Sequence, residues 1–438
     1  MQIRPSTRTL LAGLGAVAVA SGMAAWNVEA ERYWPQWRGP HATGVSKHAT
    51  PPLEWSESKN LTWKVEIPGR GSGTPIVWGD RLFVLTAVPA DAAAAAPVPR
   101  GGKPGVHQYT VMALDRKTGK VAWQHVARAE APHEGTHHEF GTYASSSAVT
   151  DGQHVIASFE SRGIYAYDMN GKPVWQKDLG DKTMRNQFGE GTTPALHGNT
   201  VVVVWDHQGE SFIVALDKRT GEERWRERRD EIDSWATPLI VEHGGRAQVV
   251  TSGMRQVRSY DLETGKLLWY GDGLTMNPIP SPVTANGLVI LTSGFRGNDL
   301  QAIRLAEAKD NVTGSPAIAW TLDRDTPYVP SPLVHDGILY LLKSNHGILS
   351  AFDAATGKPH YQLQRLEATP NVFASPVAAA GRIYIPGQGG TTVVLKAGPA
   401  FEVLAANTLD DGFNASPALA DDTIYLRGQQ HLYAIAAR

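Results

Sequence analysis

A unit of about 44 residues recurs through this chain and constrains its fold more than any other feature. Each unit opens on a small hydroxyl residue, which Pro follows in every unit except the one that opens at Ser147. The opening residues are Thr74, Ser147, Thr193, Thr237, Ser281, Ser331, Ser375 and Ser416. A period near this length, with four short strands per unit, is typical of the blades of a β-propeller.

The unit at 236–269 illustrates the internal pattern. It reads as four short strands, and glycines such as Gly244 and Gly265 mark tight turns because they reach positive φ without a steric penalty. The second half of the unit recurs with an Asp, a Thr-Gly turn and a terminal Trp, as in ALDKRTGEERW at 215–225. We interpret these Trp residues as packing between adjacent blades, since one four-stranded sheet cannot bury both of its faces.

Eight opening motifs predict an all-β fold, an eight-bladed β-propeller of four-stranded antiparallel blades. The last unit stops after its third strand, at Leu432–Ala436, whereas Leu61–Ile67 precedes the first opening motif and has no unit of its own. We therefore expect an N-terminal strand at about 61–67 to join the last blade and close the ring, which removes two open sheet edges. Residues 31–60 are predicted to form an extended arm, and 61–438 a single propeller with insertions at 88–106 and 128–143.

The first 30 residues have the pattern of a signal peptide. Arg4 and Arg8 precede an apolar run, and Val28-Glu29-Ala30 is a plausible cleavage site. The alternative is an uncleaved anchor, although the run is shorter than the roughly 20 residues that span a membrane. We expect an exported bacterial protein, periplasmic or secreted, without an integral membrane segment after cleavage. A net charge of −2 offers no basic field for nucleic acid.

The repeats resemble a known family. The Asp-x-x-Thr-Gly-x-x-x-Trp units and Ser-Pro openings are similar to pyrroloquinoline-quinone-like propeller repeats, from roughly Trp34 to the C-terminus. One branch, the quinoprotein alcohol dehydrogenases, binds the quinone and Ca²⁺ at the propeller axis, and another, the outer-membrane assembly lipoproteins, is a cofactor-free scaffold. WPQWRGP at Trp34–Pro40 and GTYASSSAV at Gly141–Val149 are more similar to a secreted bacterial branch of largely unassigned function.

Cysteine usage separates this chain from both characterised branches. The dehydrogenases stack the quinone on a ring of two adjacent cysteines, and the assembly lipoproteins carry a lipidated Cys. The sequence contains no Cys at all, so neither feature is expected, and neither a disulfide nor a thiolate metal site can form. The resemblance thus implies the fold and leaves the function open.

Polar residues are expected to meet at one mouth of the axial channel. In a propeller, the loops between the second and third strands and the loops between blades emerge on the same face. The candidate ligand-binding residues are Arg162, Asp206, His207, Asp233, Trp235, Arg255, Arg296, Asn298, Lys343 and His346. Arginine favours carboxylates, oxygen ligands favour Ca²⁺, and Trp235 is suited to stack on a planar ring, so pyrroloquinoline quinone with Ca²⁺ is one candidate ligand. The alternative is that these charges pair with one another around a water-filled channel.

A histidine-rich segment lies within the second insertion. His133, His137, His138 and Glu139, with His207 from the next blade, are candidate ligands for zinc, copper or iron. The letters match the His-Glu-x-x-His zinc motif, but that motif needs a helix, and Pro132 and Gly135 argue against one. The alternative is a polar loop that packs over the mouth.

Three functions follow from these patterns. The leading prediction is a non-catalytic binding or scaffold protein with a polar axial pocket, whose partner is a small polar or anionic ligand or another envelope protein. The first alternative is a calcium-dependent quinoprotein dehydrogenase without the vicinal-cysteine ring. The second is a metal-dependent enzyme that uses the His137/His138 loop.

Overall fold

The computed structural model describes residues 29–95 and 102–437. The predicted signal peptide lies almost entirely outside these residues, and the 88–106 insertion lies partly outside them. Among the residues described, no helix combines the length and the apolar character needed to cross a membrane.

The chain forms eight antiparallel sheets arranged as the blades of a propeller, as the repeats predict. The first strands of neighbouring blades contact one another and therefore surround the axis. From the axis outward, the strands are Ile76–Trp78, Arg81–Pro89, His107–Asp115 and Val121–Glu130 in blade 1; Val149–Thr150, His154–Ser158, Ile164–Asp168 and Pro173–Lys177 in blade 2; Ala195–His197, Thr200–Trp205, Phe212–Asp217 and Glu223–Arg228 in blade 3; and Leu239–His243, Arg246–Thr251, Gln256–Asp261 and Leu267–Asp272 in blade 4.

The second half of the ring repeats this order. Its strands are Val283–Ala285, Leu288–Ser293, Asp299–Arg304 and Ile318–Leu322 in blade 5; Leu333–His335, Ile338–Leu342, Ile348–Asp353 and Pro359–Arg365 in blade 6; Val377–Ala379, Arg382–Pro386, Thr391–Lys396 and Val403–Thr408 in blade 7; and Ala418–Ala420, Thr423–Arg427, His431–Ala436 and Leu61–Glu66 in blade 8. Two short 3₁₀ turns, Glu160–Arg162 and Arg185–Gln187, lie in loops.

The N-terminal strand closes the ring. Leu61–Glu66 pairs antiparallel with His431–Ala436, so that Leu61 lies opposite Ile435 and Glu66 lies opposite His431. This pairing confirms that the start of the chain completes the last blade.

Blade 4 carries a fifth strand that the repeats do not predict. Asp310–Asn311 pairs in parallel with Leu267–Asp272, the outermost strand of blade 4. The connection between the last two strands of blade 5, residues 305–317, is longer than in the other blades and reaches back, so that buried Val312 packs in the same cluster as Trp269. The degraded repeat that ends at Trp320 thus supplies an edge strand to its neighbour.

The tryptophans that end the blades fasten each blade to the next. In five blades the indole Nε1 donates to a backbone carbonyl in a turn of the following blade, at 2.7 to 3.2 Å. The pairs are Trp63 with Arg116, Trp123 with Met169, Trp175 with Lys218, Trp225 with Leu262, and Trp320 with Ala354. The turn glycine lies against the indole: a Cβ on Gly265 would approach Trp225 to 2.7 Å. Packing between blades is therefore as the sequence predicts.

Candidate functional site

The hydroxyl residues that open the blades form a hydrogen-bonded ring around the axis. In seven of them the side-chain oxygen accepts the backbone N–H of the opening residue of the preceding blade, at 2.8 to 3.3 Å. Thr74 completes the ring by donating its hydroxyl to the carbonyl of Ser416 at 3.0 Å. The ring explains why each unit opens on Ser or Thr, because only a short side chain with an acceptor oxygen pairs this buried N–H.

A cavity of about 470 Å³ lies at the axis beside this ring. Hydroxyl groups of seven opening residues line it, from Ser147 to Ser416. Aromatic side chains line it as well, and they are Trp37, His137, Phe140, Phe188, Trp235, Phe295, Tyr328 and Phe373. A concave site of this size with apolar walls and a few polar groups has the character of a small-ligand pocket.

The lining follows a rule that can be read from the sequence. The residue two positions before each opening residue lines the cavity in all eight blades. These residues are Ser72, Ser145, Gly191, Trp235, Ile279, Val329, Phe373 and Asn414. The repeat register was sufficient to find them, because residues two apart in an extended chain face the same side. Of these eight residues, only Trp235 was among the ligand-binding candidates predicted from the sequence. The aromatic character of the site was therefore not predicted.

The N-terminal arm crosses the axis. Trp34 pairs with Val77 of blade 1 through backbone hydrogen bonds of 3.1 and 2.9 Å. The indole of Trp37 donates to Ser281 Oγ at 3.2 Å, and the buried guanidinium of Arg38 donates to the carbonyls of Pro332 and Pro376 at the start of blades 6 and 7. Between residues 31 and 44 the arm runs in turns, with positive φ at Arg38, and not as the extended segment that we expected.

Three of the candidate binding residues form buried or half-buried ion pairs. Asp206 accepts two hydrogen bonds from Arg229, at 2.7 and 2.9 Å, and both side chains are fully buried. Asp233 pairs with Arg185 at 3.0 Å. Arg162 contacts Glu130 at 3.1 Å and also pairs with Asp181, beside the ring of His133.

The other charged and amide candidates also have local partners. Arg255 pairs with Asp230 at 2.6 Å, and Lys343 pairs with Asp325 at 2.8 Å. The guanidinium of Arg296 lies 5.6 Å from the ring of Phe295. Asn298 accepts the backbone N–H of Thr326 at 3.1 Å, and His346 lines a separate cavity in blade 6. Of the ten candidates, only Trp235 lines the axial cavity, whose lining among the described residues includes no Lys or Arg.

Glu190 contributes a carboxyl group to the axial cavity. It accepts the backbone N–H of Ser161 at 2.9 Å and the hydroxyl of the same residue at 2.5 Å. Burial raises the pKa of Glu190 to about 7, and the nearby Glu160 carboxylate adds to the rise. Glu160 itself forms a buried 2.6 Å ion pair with Lys182. At neutral pH this carboxyl group is therefore partly protonated and able to donate as well as accept.

The histidine-rich segment forms a loop and not a helix, and its histidines face different neighbours. His133 contacts the carbonyl of Lys182, while His137 stacks on His138 with ring centroids 4.7 Å apart. Glu139 is exposed, and His207 Nδ1 accepts the N–H of Thr183 at 3.0 Å. Within residues 29–95 and 102–437, no three or more His, Asp or Glu side chains are grouped so that they could hold a metal ion. These five candidate ligands therefore do not assemble the metal site for which they were selected.

The family resemblance implies pyrroloquinoline quinone and Ca²⁺, and the axial residues do not fit that pair. The quinone is a tricarboxylate and needs cationic partners, whereas the described lining of the cavity offers none. Ca²⁺ takes 6–8 oxygen ligands rich in carboxylates. The carboxyl group of the lining, Glu190, is already committed to Ser161.

Comparison with known proteins identifies the family of the chain. Residues 13–210 and 160–438 match the family described as outer membrane protein assembly factor BamB. The chain is 24% identical over 397 residues to the outer membrane protein assembly factor BamB of Yersinia pestis, covering 90% of this chain and 79% of that protein.

Solved structures share the fold. The crystal structure of BamB from Moraxella catarrhalis aligns with a TM-score of 0.59 at 13% identity, covering 86% of this chain and 99% of that one. A quinohemoprotein alcohol dehydrogenase from Comamonas testosteroni aligns with a TM-score of 0.67 at 12% identity, covering 95% of this chain and 84% of that one. At these identities the likeness extends to the fold alone. The family match covers most of the chain, which therefore belongs to the family of pyrroloquinoline-quinone-like propeller repeats described as outer membrane protein assembly factor BamB.

Proposed function

We propose that this protein is an exported, non-catalytic binding or scaffold propeller of the bacterial cell envelope. The proposal rests on the residues at the propeller axis. Dehydrogenases of the same fold family are expected to hold their cofactor at this place. Here the arm through Trp37 and Arg38 crosses the axis, and the charges of the mouth are paired with one another. The described residues form no catalytic group of side chains at the axis. Such a ring is suited to binding other molecules without reacting with them.

The proposed partner is another protein of the envelope. The relatives named as outer membrane protein assembly factors support a role in the assembly of outer-membrane proteins. The pattern of residues 1–30 supports export to the periplasm or beyond. We propose that the partner binds the outer surface or rim of the ring, since the arm covers part of the axis.

The axial cavity is the proposed site for a small ligand. His137, Trp235 and Tyr328 contribute aromatic surface, and the opening hydroxyls contribute hydrogen-bond donors, because each oxygen already accepts a backbone N–H. The lining favours a neutral or weakly polar ring-bearing ligand over the anionic ligand that the sequence suggested. This ligand site is independent of the protein partner, and either can be present without the other.

The experiment that tests the scaffold role is deletion of the gene in its own bacterium. Folded outer-membrane β-barrel proteins are quantified by their heat-dependent mobility on gels, in the deletion strain and in a complemented strain. We expect less folded β-barrel protein in the deletion strain and recovery on complementation. An unchanged amount of folded β-barrel protein in the deletion strain would refute the assembly role.

A second experiment addresses the enzyme alternative. The purified mature protein is mixed with pyrroloquinoline quinone and Ca²⁺, and thermal unfolding and dye reduction are followed. We expect neither a rise in Tm nor dye reduction. A quinone-dependent rise in Tm together with dye reduction would instead make the dehydrogenase the leading function.

A further inference from the structure

In the described part of the chain, the guanidinium of Arg427 is buried without a hydrogen-bond partner. Arg427 ends the second strand of blade 8, and only 2% of the residue is exposed. None of its three guanidinium nitrogens has a hydrogen-bond partner among the described residues. Leaving a charged donor group without water and without an acceptor carries a large free-energy penalty. The side chain therefore needs an acceptor that residues 29–95 and 102–437 do not supply.

The nearest carboxylate does not meet this need. Asp411 accepts the backbone N–H groups of Gln429 and His431, at 2.8 and 2.9 Å, and lies 3.3 Å from the hydroxyl of Tyr433. Burial lowers the pKa of Arg427 to about 10, and the Asp411 charge opposes that effect. Arg427 thus remains protonated at neutral pH, while Asp411 is directed at other donors.

The guanidinium lines a small cavity between the last blade and the first. Arg70, Ser72 and Asn414 line the same cavity, whose volume is about 10 Å³. Asn414 Oδ1 already accepts a hydrogen bond from Gln388 at 2.9 Å, which leaves the amide NH₂ as a donor. This volume accommodates roughly one water-sized sphere and is too small for a carboxylate, phosphate or sulfate. The cavity is thus rich in donors and sized for a single atom.

We propose that Arg427 binds a single monoatomic anion, chloride under physiological conditions, in this cavity. The anion accepts hydrogen bonds from the buried guanidinium and compensates its charge. Because Arg427 and Asn414 belong to the last blade and Arg70 and Ser72 to the segment that opens the first, the ion lies at the closure of the ring. The proposal does not depend on the proposed function.

The first test is thermal unfolding of the mature protein, dialysed free of halide, at constant ionic strength. Chloride or bromide is compared with gluconate, which is too large for the cavity. We expect a saturable rise in Tm of at least about 2 °C with either halide. Equal Tm values in halide and gluconate would overturn the proposal.

The second test locates the ion. Arg427→Met keeps an unbranched apolar stem and removes the guanidinium and its charge, so the halide dependence of Tm should disappear. Arg219→Met, an exposed arginine in a turn of blade 3, is the matched control and should retain that dependence. If Arg427→Met does not fold, crystals of the wild-type protein in bromide decide the question. An anomalous peak beside the Arg427 guanidinium supports the site, and a water molecule there refutes it.

Discussion

The indole Nε1 of Trp63 donates a 3.0 Å hydrogen bond to the carbonyl of Arg116, and this contact joins the outer strand of the last blade to the first blade. The guanidinium of Arg116 also contacts the last blade, blade 8. It donates to Tyr425 Oη at 2.7 Å and pairs with Asp421 at 2.6 Å. One residue of blade 1 thus contacts two strands and a turn of blade 8.

Removal of the Arg116 side chain should therefore weaken the ring closure. We expect Arg116→Met to lower the free energy of unfolding by about 2 kcal/mol, because Tyr425 loses its charged donor and Asp421, which is 40% exposed, loses its partner. Urea unfolding followed by Trp fluorescence measures the loss. Lys117→Met, at the adjacent exposed position, should change stability little. Equal stability of the two variants would contradict the role of Arg116.

The turn glycines offer a matched comparison. Gly265 and Gly244 both have positive φ, of 75° and 58°, but a Cβ on Gly265 would lie 2.7 Å from Trp225, whereas nothing lies within 4 Å at Gly244. We expect Gly265→Ala to lower the free energy of unfolding by about 1–3 kcal/mol more than Gly244→Ala does. Both substitutions strain the backbone, but only Gly265→Ala displaces an indole. Thermal unfolding of the two variants gives the difference, and a difference near zero would refute the packing argument.

The hydroxyl ring predicts a cost for removing a single acceptor. In Thr237→Val the shape of the side chain is kept, but the backbone N–H of Thr193 loses its 3.3 Å partner in a buried position. We expect a loss of about 1–3 kcal/mol by chemical denaturation. Thr220→Val removes a similar contact in an exposed turn of blade 3, and this control should cost under about 0.5 kcal/mol. If both variants lose the same free energy of unfolding, the hydroxyl ring contributes no more to stability than a hydrogen bond in an exposed turn.

The Glu190 carboxyl group predicts a pH dependence of stability. Its pKa is raised from an ordinary 4.5 to about 7, so the folded state holds a proton that the unfolded state has already lost between these values. Stability should therefore fall as pH rises from about 4.5 to 7 and level off above 7. Glu160, Lys182 and His133 lie beside the same carboxyl group.

Glu190→Gln isolates the contribution of this group, because the amide does not titrate. We expect the fall in Tm over that pH interval to be smaller in the variant than in the wild-type protein. Glu367→Gln, at an 83% exposed position, is the control and should keep the wild-type slope. An unchanged slope in Glu190→Gln would show that another group is responsible.

The sequence predicts the ring well because its determinants are local and repeated. The opening residues from Thr74 to Ser416, the turn glycines and the strand near Trp63 each recur or complete a recurring pattern. The partners of Arg162 or Lys343 depend on loop conformation, which one sequence does not encode in a repeating form. The aromatic lining at positions such as Phe373 was accessible from the repeat register, whereas the arm at Trp37 has no repeat to place it.

The pairing of Leu61–Glu66 with His431–Ala436 also constrains when blade 8 can be completed. The two strands lie at opposite ends of the propeller sequence, so blade 8 stays incomplete until the end of the chain has been synthesised and delivered. Until then, the strand Leu61–Glu66 stays unpaired and the first blade keeps an uncovered face. Such long-range closure slows folding and prolongs exposure to aggregation. A protein built in this way is most exposed to aggregation until its last strand is in place.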